Sequence, residues 1–333
     1  MNLLIGDPHF RKDNIDSVRV FVQFVLQLVN NPTPSRSDTI NRVVIMGDFL
    51  DKFGNVFTPV RNEAEKFVHL LREHVDVVIL VGNHDYPNNF QFCNDTHWMN
   101  ALKEWDRVTI VDYPIIIDGE VYCPYVPKGR FKEALNLLGD VWKDAKAIYA
   151  HQEFNGCMMD NGTISDDSDI WELNLPMVFS GHMHTKQRLQ DNIYYPGSAF
   201  QHGFGDTSKK SLALVKDGVL CEEISLKKVI PNKAILYLTP DEIKRRDDII
   251  GDEHTKIKVS ATDTEWRYFK TTKKYKELVK QGIKVSKVSV RTELNLKKGT
   301  FEEHLQEQIE QHRDCKKLRD YYGHILQDVA CMK

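Results

Sequence analysis

The chain has 333 residues, of which 41% are hydrophobic and 28% charged, and its formal net charge is −3. These values are ordinary for a soluble globular protein with room for two domains, and they exclude a polycation. The sequence has no apolar run long enough to cross a membrane and no basic region before its first strand-like residues, so we expect neither a membrane span nor a signal peptide.

The six cysteines are scattered and include no Cys-x-x-Cys pair. This pattern predicts reduced thiols. We therefore expect a cytoplasmic protein, or a nuclear one if the source is a eukaryote or a virus that replicates in the nucleus.

Short apolar runs rich in β-branched residues predict six strands in the first two hundred residues. They are Leu3–Ile5, Val43–Met46, Val77–Val81, Ala147–Ala150, Met177–Ser180 and Ile193–Tyr195. Apolar stripes with helical spacing, from Ile15 to Leu28 and from Val60 to Leu71, lie between the first three. Strands that alternate with amphipathic helices predict a layered α/β domain with a buried sheet.

The character of the chain changes after about residue 206. Short strand-like runs surround one predicted helix, roughly Glu265–Gln281, and residues 207–298 contain 22 basic but only 13 acidic residues. This part is predicted to be a small basic α+β unit beside an acidic α/β domain. A capping box at Thr300-Phe-Glu-Glu303 then predicts terminal helices. We place the domains at 1–206, 207–298 and 299–333.

Five predicted strands of the first domain are followed by side chains that can bind a metal. In chain order these are Asp7 and His9, Asp48 and Asp51, Asn83 and His84, His151, and His182 and His184. One such group is common in a turn, but parallel strands bring five to the same edge of a sheet. Oxygen and imidazole ligands without thiolates suit Mn²⁺, Fe²⁺ or Zn²⁺. Their number predicts two ions that share a carboxylate, which is an arrangement suited to phosphoryl transfer.

Taken in order, the motifs Asp-x-His, Gly-Asp-x-x-Asp, Gly-Asn-His-Asp, a lone His and Gly-His-x-His resemble the signature of the calcineurin-like metallophosphoesterases over residues 5–185. The resemblance implies a layered β-sandwich flanked by helices. It also implies two divalent metal ions. Mn²⁺ is the expected metal, and Fe²⁺, Mg²⁺ and Zn²⁺ are the alternatives. By resemblance, the first metal would be held by Asp7, His9, Asp48 and His184. The second would be held by Asp48, Asn83, His151 and His182, with Asp48 bridging.

The resemblance also implies the catalytic groups. His84 matches the family's catalytic histidine, a general acid or charge stabiliser at the leaving oxygen. Asp85 and Asp51 would support catalysis by fixing the orientation of an imidazole or a ligand.

A second resemblance lies beyond the last motif. The stretch from Tyr195 to Asp206 and the segment His151-Gln-Glu-Phe-Asn-Gly156 are similar to the SbcD-type nucleases of double-strand-break repair. This implies a homodimeric DNA nuclease, an exonuclease on duplex ends and an endonuclease on single strands. It would act in recombination or repair, with the basic unit as capping domain and the terminal helices docking an SMC-like ATPase. The sequence departs from that pattern after His9, where Phe10-Arg11 replaces Leu-Gly.

Four residues are predicted to bind substrate: Ser198, His202, Lys273 and Lys274. The two lysines belong to a basic stretch that could equally be a solvated helix face, or could contact phosphates of a nucleic acid. Two alternatives to the nuclease remain open. One is a free-standing phosphoesterase for small phosphodiesters or phosphoproteins. The other is a non-catalytic scaffold for the ATPase on DNA, against which the complete ligand set argues.

Overall fold

The computed structural model describes residues 1–31, 39–53, 57–160, 162–246 and 254–289. The strands are β1 (Asn2–Ile5), β2 (Arg42–Ile45), β3 (Asp76–Leu80), β4 (Val108–Val111), β5 (Ile115–Ile117), β6 (Glu120–Tyr122), β7 (Ile148–Ala150), β8 (Val178–Ser180), β9 (Gln187–Gln190), β10 (Ile193–Tyr195), β11 (Ser211–Lys216), β12 (Val219–Ser225), β13 (Ala234–Leu238), β14 (Thr255–Ser260) and β15 (Lys284–Val288). The α-helices are α1 (Ile15–Asn30), α2 (Thr58–Arg72), α3 (Phe131–Leu135), α4 (Pro240–Arg245), α5 (Asp263–Thr271) and α6 (Lys273–Lys280).

Two six-stranded sheets form the body of the protein, in the orders β12-β11-β1-β2-β3-β4 and β5-β6-β7-β8-β10-β9. Strands β1 to β4 of the first sheet are parallel, as are β6, β7, β8 and β10 of the second. Antiparallel β11 and β12 complete the first sheet beside β1, and antiparallel β5 and β9 form the two edges of the second. The carboxyl ends of the parallel strands therefore meet at one rim of each sheet.

The two faces of the first sheet bury different cores because side chains alternate along a strand. In β1, Leu3 and Ile5 pack in the same core as Val18 and Phe67 of α1 and α2. Leu4, which points the other way, packs in a second core with residues of the opposing sheet. A third core, around α3 and the short helical turns that follow it, covers the outer face of the second sheet. The predicted α/β sandwich with flanking helices is confirmed.

The predicted boundary at residue 206 does not separate the sheets. Strands β11 and β12 lie beyond it, yet β11 pairs with β1 through Asn2 and Val215. The chain divides instead into two compact units. Of the described residues, the first unit contains those up to 236 with 254–257 and 278–284, and the second contains 237–246, 258–277 and 285–289. The predicted segment 299–333 lies outside the described residues.

The helix predicted over Glu265–Gln281 is two helices, α5 and α6. Between them Thr272 is extended, with φ −70° and ψ 153°, so the chain leaves the helical path for one residue. The hydroxyl of Thr272 accepts from the backbone N–H of Tyr275, which satisfies a donor in the first turn of α6. The apolar periodicity alone did not predict this break.

The structure also bears on the expectations about membrane helices and cysteines. Within the described ranges, none of the helices has both the length and the apolar character that crossing a bilayer requires. Four of the cysteines (Cys93, Cys123, Cys157 and Cys221) are described, and all four are free thiols.

Candidate metal centre

Four side chains from four separate chain segments meet around the end of β7. The Oδ1 atom of Asn83 lies 3.0 Å from His151 Nε2 and 3.0 Å from His182 Nδ1. These two nitrogens are 3.3 Å apart, and Asp48 Oδ1 lies 3.4 Å from His151 Nε2. Such spacings are those of atoms that share one ion at bonds of about 2 Å. The predicted second ligand set is therefore assembled.

The first ligand set adjoins it through Asp48. The other carboxylate oxygen of Asp48, Oδ2, lies 3.4 Å from His9 Nε2, which is 3.1 Å from His184 Nε2. Asp7 accepts from the backbone N–H of His182 with Oδ1, while its buried Oδ2 has no hydrogen-bond partner in the described part of the chain. Because the two oxygens of Asp48 face different sets, Asp48 is positioned to bridge.

Four of the ligands have left-handed backbone conformations. Their φ angles are 37° for Asp7, 39° for His9, 49° for Asp48 and 76° for His182. Residues other than glycine rarely adopt such backbone angles, and each residue that does so costs on the order of 1–3 kcal/mol. The sharp turns after β1, β2 and β8 send these side chains back over the strand ends, so strain in the backbone accompanies convergence of the ligands.

Two glycines leave space for the ligands. A Cβ atom on Gly82 would lie 2.2 Å from both the backbone nitrogen and Oδ1 of Asp48, and one on Gly47 would lie 2.3 Å from His151 Nδ1. Neither contact is possible for a real side chain. The glycines of the Gly-Asp and Gly-Asn-His-Asp motifs are thus required because neighbouring backbone and ligand atoms approach so closely.

The electrostatics of the cluster fit divalent cations. Burial lowers the pKa of His9 well below its usual value and so favours the neutral ring. Burial alone would raise the pKa of Asp48, but His151 and His9 outweigh it and hold the pKa well below its usual value. Burial opposes protonation of His151, but Asp48 and Asp7 raise its pKa to about 9. A proton on His151 offsets the charge of Asp48, and a divalent cation held by both residues would take over that role.

Outer residues fix which nitrogen of each imidazole faces the cluster. The backbone carbonyl of Met46 accepts from His151 Nδ1 at 2.7 Å, which leaves Nε2 for a metal. On His182 the outer nitrogen is Nε2, which lies 3.7 Å from Glu153 Oε2, so Nδ1 faces the cluster. On His184, Nδ1 contacts Asp160 at 2.6 Å.

Glu153 and Asp160 are two outer residues that the sequence alone did not identify. Glu153 could have been found, because it lies two residues after His151 in the segment His151-Gln-Glu-Phe-Asn-Gly156. It is buried, and hydrogen bonds with His182, Ser165 and Ser168 outweigh burial and hold its pKa below its usual range. Asp160 follows no strand and belongs to no motif, so only the folded chain reveals it.

His84 lies outside both ligand sets but directly beside them. Its backbone N–H donates to Asp48 Oδ1 at 2.8 Å, and its Nδ1 donates to the backbone carbonyl of Asp51 at 2.8 Å. Its ring stacks on Phe53 with centroids 4.4 Å apart. A cavity of about 290 Å³ is lined by His84, Asp48, His182, His184, Met159, Asp160 and Met183. The ring is therefore available to a molecule bound over both metal positions.

Asp85 is buried and is not among the residues that line the cavity. Its carboxylate accepts from the backbone N–H groups of Gly82, Phe49 and Leu50 and from Trp98 Nε1. These bonds join the loop after β3 to the loop after β2. Burial and the charge of Asp48 raise the pKa of Asp85 to about 6. The carbonyl of Asp51 accepts from His84 Nδ1, and the part in catalysis predicted for Asp85 and Asp51 stays a prediction.

The four predicted substrate-binding residues have different surroundings. Ser198 is fully buried, and its hydroxyl donates to the carbonyl of Phe200 and accepts from Lys210 Nζ. These bonds brace the segment next to His184, and the substrate role of Ser198 stays a prediction. His202 lies against His9 and His184. Lys273 and Lys274 belong to the second compact unit, and their substrate role stays a prediction.

Comparison with known proteins gives three matches. Residues 3–186 match the sequence model of a family described as calcineurin-like phosphoesterase. The chain is similar to "Putative phosphoesterase 078R" of Invertebrate iridescent virus 3, with 39% identity over 306 residues that cover 88% of this chain and 85% of the relative. It is also similar to "Putative phosphoesterase 244L" of Invertebrate iridescent virus 6, with 44% identity over 219 residues that cover 64% of this chain and 74% of the relative.

Proposed function

This chain belongs to the calcineurin-like phosphoesterase family, and from that premise we propose that it is a two-metal phosphodiesterase that cleaves DNA. The observation that carries the proposal is the pair of ligand sets joined by Asp48, with His84 beside them at the same cavity. Two divalent ions bound there would supply Lewis acidity and clamp the attacking and leaving oxygens of a phosphoester.

The chain's own contribution to the reaction centres on His84. Because the carbonyl of Asp51 holds Nδ1–H, Nε2 is the nitrogen that can carry a proton toward the leaving oxygen. Stacking on Phe53 keeps the ring in this orientation. His84 therefore acts as general acid or charge stabiliser, while Asp85 and the glycines hold the loops that carry it and Asp48.

Cationic groups near the first ligand set favour a polyanionic substrate. Arg11 Nη2 and Lys233 Nζ both donate to the backbone carbonyl of His202, whose ring touches His9 and His184. Lys233 and Lys284 also lie over the ring of Phe204, each 5.9 Å from its centroid. Lysine and arginine attract phosphates, and an aromatic ring can stack on a base. These features support a nucleic acid over a small phosphate monoester.

A labelled-DNA assay tests the proposal. With Mn²⁺ present, the wild type should shorten duplex DNA from its ends and cut single strands, whereas Asp48→Asn should do neither. Cleavage of a small chromogenic phosphodiester or a phosphoprotein without any cleavage of DNA would favour the free-standing phosphoesterase instead. Inactivity on all of these substrates with Mn²⁺, Fe²⁺, Mg²⁺ and Zn²⁺ would favour the scaffold.

The lysines of α6 can be tested for contact with the DNA backbone. Reversing Lys273 and Lys274 to Glu should weaken DNA binding uniformly across sequences and lower the slope of log K against log salt by about one per lost phosphate contact. The same reversal at exposed Lys227 and Lys228 is the matched control. An unchanged slope would mean that Lys273 and Lys274 form a solvated helix face.

The partners in this proposal derive from the sequence resemblance. We expect a homodimer that works in DNA recombination or repair with an SMC-like ATPase, in the cytoplasm or, if the source is a eukaryote or a virus that replicates in the nucleus, in the nucleus. Sedimentation of the full chain would measure its association state. A monomer at micromolar concentration would count against the dimer.

A further inference from the structure

His202 lies against the first ligand set although none of the five metal motifs includes it. Its ring centroid is 4.5 Å from that of His9 and 4.5 Å from that of His184. One nitrogen from each of the three rings lies within 4.8 Å of the others. Both nitrogens of His202 are buried, and neither has a hydrogen-bond partner in the part of the chain that is described. Two buried, unpartnered polar atoms are costly unless something else binds one of them.

The backbone of His202 is held on both sides. Its N–H donates to Asp206 Oδ2 at 2.7 Å, and its carbonyl accepts from Arg11 at 2.7 Å and from Lys233 at 2.9 Å. The Gly203 N–H also donates to Asp206 Oδ2. These four hydrogen bonds fix the backbone at His202 and so restrict the positions that its ring can take. A side chain aimed and fixed in this way is preorganised for a ligand.

The ring of His202 completes a group of three imidazoles. Its ring contacts those of His9 and His184, and one nitrogen of each lies within 4.8 Å of the other two. An imidazole nitrogen with a free lone pair is a common metal ligand.

We propose that His202 is an additional ligand of the first metal, beside Asp7, His9, Asp48 and His184. This inference rests on the two-metal site of the proposed function but not on the identity of the substrate. The first position then has three imidazoles and two carboxylates. The second has two imidazoles, one amide oxygen and one carboxylate. The nitrogen-rich first position should favour Zn²⁺, Fe²⁺ or Co²⁺ over Mn²⁺ or Mg²⁺ more strongly than the second does.

Titration of the metal-free full chain with Co²⁺ tests the proposal without any substrate. Calorimetry gives the affinity of each position, and the visible absorption of Co²⁺ reports its ligands. In His202→Ala and His202→Gln, one position should bind at least tenfold more weakly with an altered spectrum, while the other stays within twofold of the wild type. His69→Ala removes an exposed histidine and should change neither affinity nor spectrum.

Four results would overturn the proposal. If both His202 variants bind two ions with wild-type affinity and spectrum, His202 is not a ligand. If metal binding is unchanged but inorganic phosphate then binds the Co²⁺ form more weakly, His202 contacts phosphate, as the sequence had predicted. If the wild type itself binds no ion, the two-metal function fails together with this inference. Melting curves of the metal-free variants show whether an affinity loss merely reflects unfolding, and a loss confined to variants that have unfolded also counts against His202 as a ligand.

Discussion

His84 donates from Nδ1 to the backbone carbonyl oxygen of Asp51 across 2.8 Å, and this bond determines which nitrogen meets the substrate. Asp51 lies three residues after Asp48, so the same turn supplies the bridging carboxylate and the group that orients the catalytic imidazole. Metal binding and proton transfer are thus joined through one short loop.

The first prediction concerns His84. His84→Asn should keep a similar shape and both metal ions but lose the proton donor, so kcat on a chromogenic phosphodiester should fall about 100- to 10,000-fold. Calorimetry should show Mn²⁺ affinities within about twofold of the wild type. The control is His69→Asn on the exposed face of α2. Full activity in His84→Asn would exclude the assigned role.

The second prediction concerns the space that Gly82 leaves. In Gly82→Ala the new Cβ would meet Asp48 at 2.2 Å, so the bridging carboxylate must move. Affinity for both ions should fall more than tenfold, and overpacking should lower the free energy of unfolding by about 1–3 kcal/mol. Gly205→Ala is a matched control, because nothing lies within 4 Å of its Cβ position. Normal Mn²⁺ binding by Gly82→Ala would contradict the packing argument.

The third prediction concerns Glu153, which contacts His182 from outside the cluster. Replacement by Gln removes the charge that orients the ring, and affinity for one of the two ions should fall about 10- to 100-fold. Titration with Mn²⁺ measures this loss. Glu133→Gln, which removes an exposed carboxylate paired with Arg130, should leave both affinities unchanged. Equal effects of the two substitutions would show that Glu153 has no particular part in metal binding.

The fourth prediction is a pH dependence of stability that involves Asp112. Burial alone would raise the pKa of Asp112, but hydrogen bonds from His97 and Lys103 outweigh it and hold the pKa below its usual value. A depressed carboxylate pKa contributes stability that is present above the unfolded value and is lost as the pH falls through the folded value. Asp112→Asn should therefore cost about 1–3 kcal/mol at pH 7.

Urea unfolding in the presence of EDTA measures this difference at pH 7, 5 and 3.5. The difference in free energy of unfolding between wild type and Asp112→Asn should be smaller at pH 3.5 than at pH 5. Asp140→Asn, at an exposed pair with Lys143, should show no gap at any pH. A gap that does not narrow would mean that the Asp112 charge is not its source.

The sequence by itself indicated the layers and the candidate ligands that lie in the five motifs. The continuous apolar runs Val43–Met46 and Val77–Val81 are local features of the sequence, so they predict buried strands whatever those strands later pair with. The side chains that follow them, such as Asp48 and Asn83, must then gather at the carboxyl rim of a parallel sheet. Each motif spans only a few residues directly after a strand. The local backbone therefore fixes where its side chains lie relative to the strand end.

Only the tertiary structure decided which atoms face each other. Whether His182 offers Nδ1 or Nε2 depends on Glu153, and the partner of His184 is Asp160, in a loop with no motif. The same holds for β11, which crosses a composition boundary to pair with β1, and for His202, whose ring reaches His9 from 193 residues away. Contacts between distant residues depend on how whole elements pack, and no local pattern records that packing.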